Sequence, residues 1–382
     1  MYYEPINGYN WLMKTYNWQQ ADWPHFRYDP SNLYEVLLSI SEKMGVINGK
    51  LAHLTKNLHT EAIINLMVEE AVKTSEIEGE YISRMDIRSS IKNNLGLNSK
   101  NIPVHDKRAQ GIAKFMLDVR NTFKKSLTEK KLFDWHLMLM SGSSHPNLRV
   151  GYWRTNTEPM QIVSGHHGKW TVHFEAPASQ NVPKEMKKFI RWFNETAPGN
   201  HKAIQFAPVR AAIAHLYFES IHPFEDGNGR IGRAIAEKSL SQGFGYPVML
   251  SLSVMIEAEK KAYYAALQKA SRTNEITDWI YYFVNLVFSA QLEFEKQINF
   301  IIKKAQFFDK FKDVLNERQL KVIKRMMQAG IKGFEGGMSA KKYMTITGTS
   351  KATATRDLQH LFSIKVLKQI GSGRSARYEL IL

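Results

Sequence analysis

The chain has 382 residues, of which 43% are hydrophobic and none is cysteine. This composition excludes disulfides and thiolate metal sites and predicts a packed protein rather than a disordered one. Lysine and arginine number 52 against 36 aspartates and glutamates, a net charge of +16 that favours polyanionic partners. The beginning of the chain (MYYEPINGYNW) lacks a secretory pattern, and no apolar run is long enough to span a bilayer. We therefore expect a cytoplasmic protein without membrane contact.

The first hundred residues predict a helical domain, residues 1–100. Helical spacing covers residues 31–44 and 60–78. In the second segment Ile64, Met67, Val68 and Ala71 recur every three or four residues, so one helix face is apolar. Gly79 follows as the predicted helix stop.

Residues 104–300 predict a second, helix-rich domain. Its expected helices cover residues 109–123, 132–139, 183–194 and 208–219, and residues 279–290 read as a further buried helix. Two extended runs, 160–164 and 169–174, flank the turn Gly-His-His-Gly, which indicates a β-hairpin. A hairpin can serve a partner or can be purely structural, and both alternatives are open at this stage.

The last part of the chain, residues 312–382, predicts a third domain. Helices are expected over 317–328, 339–344 and 350–362, and Ser350 is a suitable N-cap. Strands are expected over 365–370 and 377–380, around the turn Gly-Ser-Gly-Arg that ends at Arg374. Helix, turn, helix and hairpin in this order indicate a winged helix-turn-helix.

Basic residues dominate this third domain. They are Lys341, Lys342, Lys351, Arg356, Lys365, Lys368, Arg374 and Arg377, against the acids Asp357 and Glu379. The pattern favours a DNA-binding domain with a helix in the major groove and a wing on phosphate. The alternative is a winged helix used only for protein contacts, because a fold does not fix its function.

The segment from residue 221 to 233, IHPFEDGNGRIGR, concentrates more chemistry than any other. Its glycines allow backbone N–H groups to approach an anion, and the helix that follows begins with unpaired N–H groups and a partial positive charge. Arg230 and Arg233 lie three residues apart and can reach successive phosphates. Asp226 is a hard oxygen ligand suited to Mg²⁺, and His222 is a base that works near neutral pH. The segment thus favours binding of a nucleotide polyphosphate beside a proton acceptor. An ordinary turn after a core histidine is the simpler alternative.

This segment resembles the signature of the Fic family, whose members usually transfer AMP from ATP to a protein hydroxyl. The matching residues are His222, Phe224, Asp226, Gly227, Asn228, Gly229, Arg230 and Arg233. The resemblance implies a mainly α fold: a Fic helical core with a β-hairpin flap, a helical N-terminal domain and the C-terminal winged helix-turn-helix. Trp18 to Pro24 (WQQADWP) also resembles a domain of unknown function found ahead of some bacterial Fic domains.

The resemblance also implies site roles. His222 would take the proton of the attacking Ser, Thr or Tyr hydroxyl, and Asp226 would hold Mg²⁺. Nucleotide contacts would come from Gly227, Asn228, Gly229, Arg230 and Arg233, the arginines binding the β- and γ-phosphates. The flap residues Gln161, Ile162, Val163 and Ser164 would clamp the target's backbone by strand addition. Tyr263 and Tyr264 would lie near the adenine, with core packing as an equal alternative.

Residues 74–79, TSEIEG, resemble the inhibitory motif of many Fic proteins. The resemblance implies that Glu78, on one helix face with Thr74, pairs with Arg233 and keeps the γ-phosphate from docking. An ordinary acidic surface helix is the alternative. Inhibition within one chain and inhibition between the chains of a homodimer are both compatible with the sequence.

The sequence is therefore compatible with three functions. The first is an adenylyltransferase that acts on a target protein and on itself, with ATP as substrate and Glu78 as inhibitor. The second is a DNA-binding transcriptional regulator that uses residues 312–382 and has the Fic domain as nucleotide sensor. The third is removal of AMP from a modified protein.

Overall fold

The computed structural model describes residues 15–98, 100–143, 147–166 and 169–381. The fold is mainly α, as predicted, and groups into two compact units. Residues 1–46 and 63–292 form the first unit, and residues 47–62 and 293–382 form the second. The division into domains at 1–100, 104–300 and 312–382 stays a prediction from sequence.

The helices follow the apolar spacing of the sequence, with bounds that the structure sets. In chain order they are α1 (Tyr34–Ala52), α2 (Lys56–Ile77), α3 (Arg84–Asn94), α4 (Lys107–Asn121), α5 (Glu129–Leu139), α6 (Val182–Glu195), α7 (Ala207–Ile221), α8 (Asn228–Phe244), α9 (Leu252–Ala258), α10 (Lys260–Ala270), α11 (Thr277–Phe311), α12 (Glu317–Met327), α13 (Ala340–Thr347) and α14 (Lys351–Ser363). Within the described residues, no helix is long and apolar enough to cross a membrane.

Helices α7 and α8 form the centre of the first unit. Every residue of α7 is buried, including Arg210 and His215, so this helix has no solvent-facing side. Ile221, Phe224 and Ile231 pack into one apolar cluster with α4 and α5, while Leu216 and Leu240 belong to a second cluster with α11. The loop between α7 and α8 therefore starts and ends in rigid core, which positions the residues on it.

A two-stranded antiparallel hairpin follows α5. Strand β1 (Gln161–His166) pairs with β2 (Lys169–Glu175), with an irregularity between Ile162 and Val163. The predicted strands are present at this place. Residues 167 and 168 of the predicted turn, residues 1–14 and the side chains of Ser164 and Arg374 lie outside the described part of the chain.

The second unit contains α12, α13, α14 and a hairpin of β3 (Leu367–Ile370) and β4 (Arg377–Leu380). This is the order of elements predicted from the sequence. Asp357 is buried here and accepts hydrogen bonds from Tyr343 Oη at 2.8 Å and Arg318 Nε at 3.1 Å. Asp357 thus ties α14 to α12 and α13, while Lys351 and Arg356 of α14 are exposed.

Several helices differ from the expectation. Helix α1 begins at Tyr34 and continues to Ala52, and α11 extends from Thr277 to Phe311, well beyond the predicted 279–290. Helices α3, α9 and α10 were not predicted. Helix α2 ends at Ile77, and Gly79 has φ +80°, a left-handed conformation that favours glycine, so Glu78 follows the helix rather than lying in its last turn.

Candidate active site

His222 is the C-cap residue of α7. It has φ 50° and ψ 62°, an unusual left-handed conformation for a residue other than glycine. Arg154 holds the backbone there, because its Nε donates to the His222 carbonyl at 2.8 Å and its Nη1 to Ser179 Oγ at 2.8 Å. Its Nη2 donates to the Pro177 carbonyl at 2.5 Å. With only 1% of its surface exposed, Arg154 acts as an internal brace for the imidazole.

A second histidine supports the far end of the same loop. His136 is fully buried; its Nδ1 accepts from the Gly151 N–H at 2.9 Å, so Nε2 carries the proton and donates to the Asp226 carbonyl at 3.2 Å. The ring of His136 stacks on Phe224 with centroids 4.1 Å apart. Burial lowers the pKa of His136 to about 4, so it stays neutral in this role.

Asn228 and Gly227 shape the loop from within. The Asn228 amide accepts from the Phe224 N–H at 2.9 Å and donates to the Phe224 carbonyl at 2.8 Å. Gly227 has φ +81°, and a Cβ there would lie 2.5 Å from Met140 Cε. The Asn228 side chain is therefore occupied by the loop itself, so a phosphate cradle at this residue depends on its backbone N–H.

The first turn of α8 already carries an anion. No side chain in the described structure caps this helix, yet the Glu78 carboxylate lies so close to Gly229 that a Cβ there would clash with its Oε1. Oε1 of Glu78 accepts from Arg233 Nη2 at 2.8 Å. Arg233 also donates from Nε to Thr74 Oγ1 at 2.8 Å and from Nη2 to the Thr74 carbonyl at 3.0 Å. A carboxylate thus occupies the position expected to attract phosphate.

Arg230 is held in the same way. Its Nη1 donates to Glu80 Oε2 at 2.8 Å, and its Nη2 lies 3.5 Å from Asp226 Oδ1. The Arg230 side chain is 2% exposed, whereas that of Glu80 is 31% exposed. Both arginines of the motif are therefore paired with carboxylates that follow α2.

An apolar cavity of about 440 Å³ opens beside the loop, between the hairpin and α10. Ile162, Val163 and Tyr264 line it, together with Glu219 on the α7 side. Tyr263 does not line it: this residue is 2% exposed, lies in the core and bonds its hydroxyl to His215 Nε2 at 2.6 Å. The cavity is of the size and character of small-molecule sites.

Burial sets the protonation of the site. It lowers the pKa of His222 to about 4, and the nearby Arg154 charge acts in the same direction. The imidazole is therefore neutral and able to accept a proton at physiological pH. Burial also raises the pKa of Glu219 to about 8, with a further contribution from the charge of Glu78.

Asp226 is the candidate ligand for a divalent cation. Its side chain is 41% exposed, and its Oδ1 accepts from the Gly227 N–H at 2.5 Å. Among the described residues no cluster of three Asp, Glu or His side chains could hold a metal alone. One hard carboxylate fits Mg²⁺ that is bound jointly with substrate phosphates, the common arrangement for this ion.

The structure brings most of the predicted site together. His222, Asp226, Gly229, Arg230 and Arg233 lie on one loop and one helix end, and Glu78 and Thr74 meet Arg233. Gln161 bonds to Glu175 within the hairpin, at 2.8 Å. The roles of all these residues stay predictions.

Sequence reasoning missed His136, Glu219 and Glu80, and it placed Arg154 in a stretch typical of the fold without giving it a role. Arg154 is an arginine in an otherwise apolar and aromatic stretch, VGYWR, which signals a buried cation with a structural task. Glu80 is the second acid of Glu-Gly-Glu, and two acids on one turn match two arginines three residues apart. His136 and Glu219 have no comparable local signal.

Comparison with known proteins agrees with this geometry. Residues 126–240 match the family described as Fic/DOC, and residues 16–97 match a domain of unknown function, DUF4172. Protein adenylyltransferase Fic of Drosophila ananassae is 24% identical over 208 residues, 54% of this chain and 37% of that protein. Its counterpart in Nematostella vectensis is 25% identical over 213 residues, 55% of this chain and 44% of that protein. The matches thus span less than half the length of these relatives.

Two solved structures share the fold. A Fic family protein from Desulfovibrio desulfuricans aligns over 94% of this chain and 98% of its own, with a TM-score of 0.51 and 18% identity. A Fic domain-containing signaling protein from Bacteroides thetaiotaomicron aligns over 71% of this chain and 97% of its own, with a TM-score of 0.51 and 20% identity. These two structures show the fold, and the match over residues 126–240 shows that this part of the chain is a Fic/DOC domain.

Proposed function

We propose that the protein transfers AMP from ATP to a Ser, Thr or Tyr hydroxyl of a target protein, and also of itself, and that Glu78 inhibits this transfer. One observation carries the proposal: a carboxylate sits at the uncapped N-terminus of α8, against Gly229 and bonded to Arg233. A site that holds one anion in this way suits the phosphates of a nucleotide once that carboxylate leaves.

The reaction would use groups of the loop after α7 and of the first turns of α8. His222 is neutral, so its Nε2 would accept the proton of the target hydroxyl, whose oxygen then attacks the α-phosphorus while pyrophosphate leaves. Arg230 and Arg233 would bind the β- and γ-phosphates, and Gly227 to Gly229 would surround the α-phosphate with backbone N–H groups. Asp226 would hold Mg²⁺, which would neutralise phosphate charge.

The hairpin and the cavity would position the two substrates. The apolar cavity beside Ile162, Val163 and Tyr264 would take the nucleotide base. A target segment would add as a strand along β1. Gln161 and Ser164 would contribute through the backbone of this strand.

Transfer of labelled AMP tests the proposal. We expect Glu78→Gly to raise automodification by roughly 5- to 150-fold, since coupling of this kind is typically worth 1–3 kcal/mol. Adding His222→Ala should abolish the transfer while ATP binding, measured by calorimetry with Mg²⁺, is retained. Lack of ATP binding in Glu78→Gly, or transfer that survives His222→Ala, would contradict the proposal. Incubation of an AMP-modified target with wild type would expose AMP removal.

DNA binding by the second unit is a second candidate function. Its support is the exposed N-terminal part of α14, which presents Lys351 and Arg356 on a helix of the predicted winged helix-turn-helix. Short duplex DNA is the probe. Binding that weakens steeply with salt would favour a regulator that carries the Fic domain as nucleotide sensor.

A further inference from the structure

Glu219 lies one helical turn before His222 and faces its ring. It belongs to the last turn of α7, and 8% of its surface is exposed. Its Oε2 is 3.7 Å from Nδ1 of His222, which is beyond a normal hydrogen bond but within the reach of a small side-chain rotation. The side chain also borders the apolar cavity beside the loop. The buried carboxyl of Glu219 therefore lies next to Nδ1 of the proposed base, on the side of the ring opposite Nε2.

Both groups lack a well-aligned partner. Within the described residues, Nδ1 of His222 and Oε1 of Glu219 are buried atoms with no hydrogen bond. The Glu219 backbone carbonyl also faces the imidazole, where it favours the protonated ring against the larger effect of burial. Unsatisfied buried polar atoms cost free energy, so the unsatisfied Nδ1 of His222, which lies 3.7 Å from Glu219 Oε2, marks a contact that forms in another state.

Glu219 packs closely against Gly232 of α8. Gly232 of α8 has no side chain, and a Cβ there would clash with Oε1 of Glu219 and lie 3.1 Å from Nδ1 of His215. His215 in turn bonds to the Tyr263 hydroxyl at 2.6 Å. Any larger residue at position 232 would push the carboxyl out of place, so the absence of a side chain there lets Glu219 occupy its position beside His222.

We infer that Glu219 is the positioning residue of His222, an inference that rests on the proposed AMP transfer. Its carboxylate accepts a hydrogen bond from the Nδ1–H, which leaves Nε2 as the basic nitrogen, and it stabilises the imidazolium that forms when Nε2 takes the hydroxyl proton. The O–H bond of the target breaks, the N–H bond forms, and the electron pair stays on the attacking oxygen. The arrangement serves the same purpose as the acid behind the histidine in a catalytic triad.

The surroundings of Glu219 include the proposed inhibitory residue, Glu78. The charged and titratable groups that face it from the neighbouring elements are Glu78, Arg233, His215, His222, Tyr263 and Tyr264. Burial comes first and the Glu78 charge second in raising the pKa of Glu219 to about 8, while Arg233 opposes them. Removal of Glu78 takes away a like charge. The Glu219 carboxylate therefore forms at a lower pH in a protein without Glu78.

Replacement of the carboxyl by an amide tests the inference. In the Glu78→Gly protein, Glu219→Gln should lower kcat for AMP transfer about 10²-fold, the lower end of general-base contributions, with the KM for ATP changed less than about twofold. Glu237→Gln is the matched control, because Glu237 is a carboxyl whose pKa burial also raises to about 8 but which faces Glu70 and Arg120. It should leave kcat unchanged.

The pH dependence separates positioning from mere packing. A group with a raised pKa stays protonated until higher pH, so kcat of the Glu78→Gly protein should rise with pH as the Glu219 carboxylate forms. This rise should be absent in Glu219→Gln and present in Glu237→Gln. A Glu219→Gln protein with an unchanged kcat and the same rise would overturn the inference.

A spectroscopic readout needs no activity. With ¹⁵N-labelled histidine, the ring signals of His222, assigned by His222→Ala, should shift in wild type with a midpoint near the Glu219 pKa of about 8. They should show no such step in Glu219→Gln. If the Glu78→Gly protein failed to bind ATP, the proposed function would fall, whereas these signals would still decide whether the carboxyl and the imidazole are coupled.

Discussion

The two units of this protein use their positive charge in opposite ways. In the first unit the arginines that matter are buried: Arg154, Arg210, Arg230 and Arg233 are each at most 3% exposed. In the second unit Lys351 and Arg356 of α14 are exposed to solvent, and among its described residues the acid Asp357 is buried. Buried arginines are costly unless they are paired, so each one has a defined partner.

This difference separates preorganised sites from open surfaces. Arg154 donates only to uncharged oxygens and braces the loop, whereas Arg230 and Arg233 hold carboxylates that a more highly charged anion can replace. The exposed cations of α14 need no such release, because water already solvates them. We therefore expect mutations in the first unit to change folding or ATP affinity, and mutations on α14 to change only binding of a polyanion.

The largest expected effect comes from removing the hydrogen bonds of Arg154. Arg154→Met leaves several backbone carbonyls near residues 177–222 without a donor, and should destabilise the protein by about 3 kcal/mol, as loss of a buried network does. Arg149→Met is the control, since Arg149 is exposed on the same segment. Urea denaturation of both variants checks this. Equal midpoints would show that Arg154 is not a structural support.

A smaller effect should come from Glu80, the carboxylate that pairs with Arg230. In the Glu78→Gly background, Glu80→Gln frees Arg230 and should tighten ATP binding by about 0.5–1 kcal/mol, two- to fivefold, as expected for a partly exposed ion pair. Glu76→Gln is the matched control because Glu76 pairs with Lys73, at 2.6 Å. Calorimetry with Mg²⁺ and ATP measures both. Weaker or unchanged binding in Glu80→Gln would assign Glu80 to structure alone.

The smallest effect on stability should come from the exposed cations. Lys351→Ala with Arg356→Ala should change the free energy of unfolding by less than about 0.5 kcal/mol. If α14 contacts DNA phosphates, the same variant should reduce the slope of log K against log salt by about 0.9 for each lost contact. Lys321→Ala removes an exposed charge from α12 and serves as control. An identical slope in wild type and variant would place any DNA contact elsewhere.

The predicted helices and strands agree with the structure where residues close together in sequence determine them. Helix α2 follows from apolar residues three and four apart, and the hairpin follows from two extended runs around a turn. Helices α9 and α10 were missed because they are short, at 7 and 11 residues, although Ser251 caps α9 locally by accepting from the Val254 N–H at 3.2 Å. Tyr263 shows another limit, since its spacing does not tell a core position from a cavity wall.

The sequence by itself determined the Fic signature from His222 to Arg233 and the mainly α fold, because both depend on residues close together along the chain. Only the tertiary structure decided which distant side chains meet. Arg230 and Glu80 are 150 positions apart, and Arg233 and Glu78 are 155 apart. Such pairs form because helix packing brings two chain segments together and burial then requires each charge to find a partner, a condition that no local pattern records.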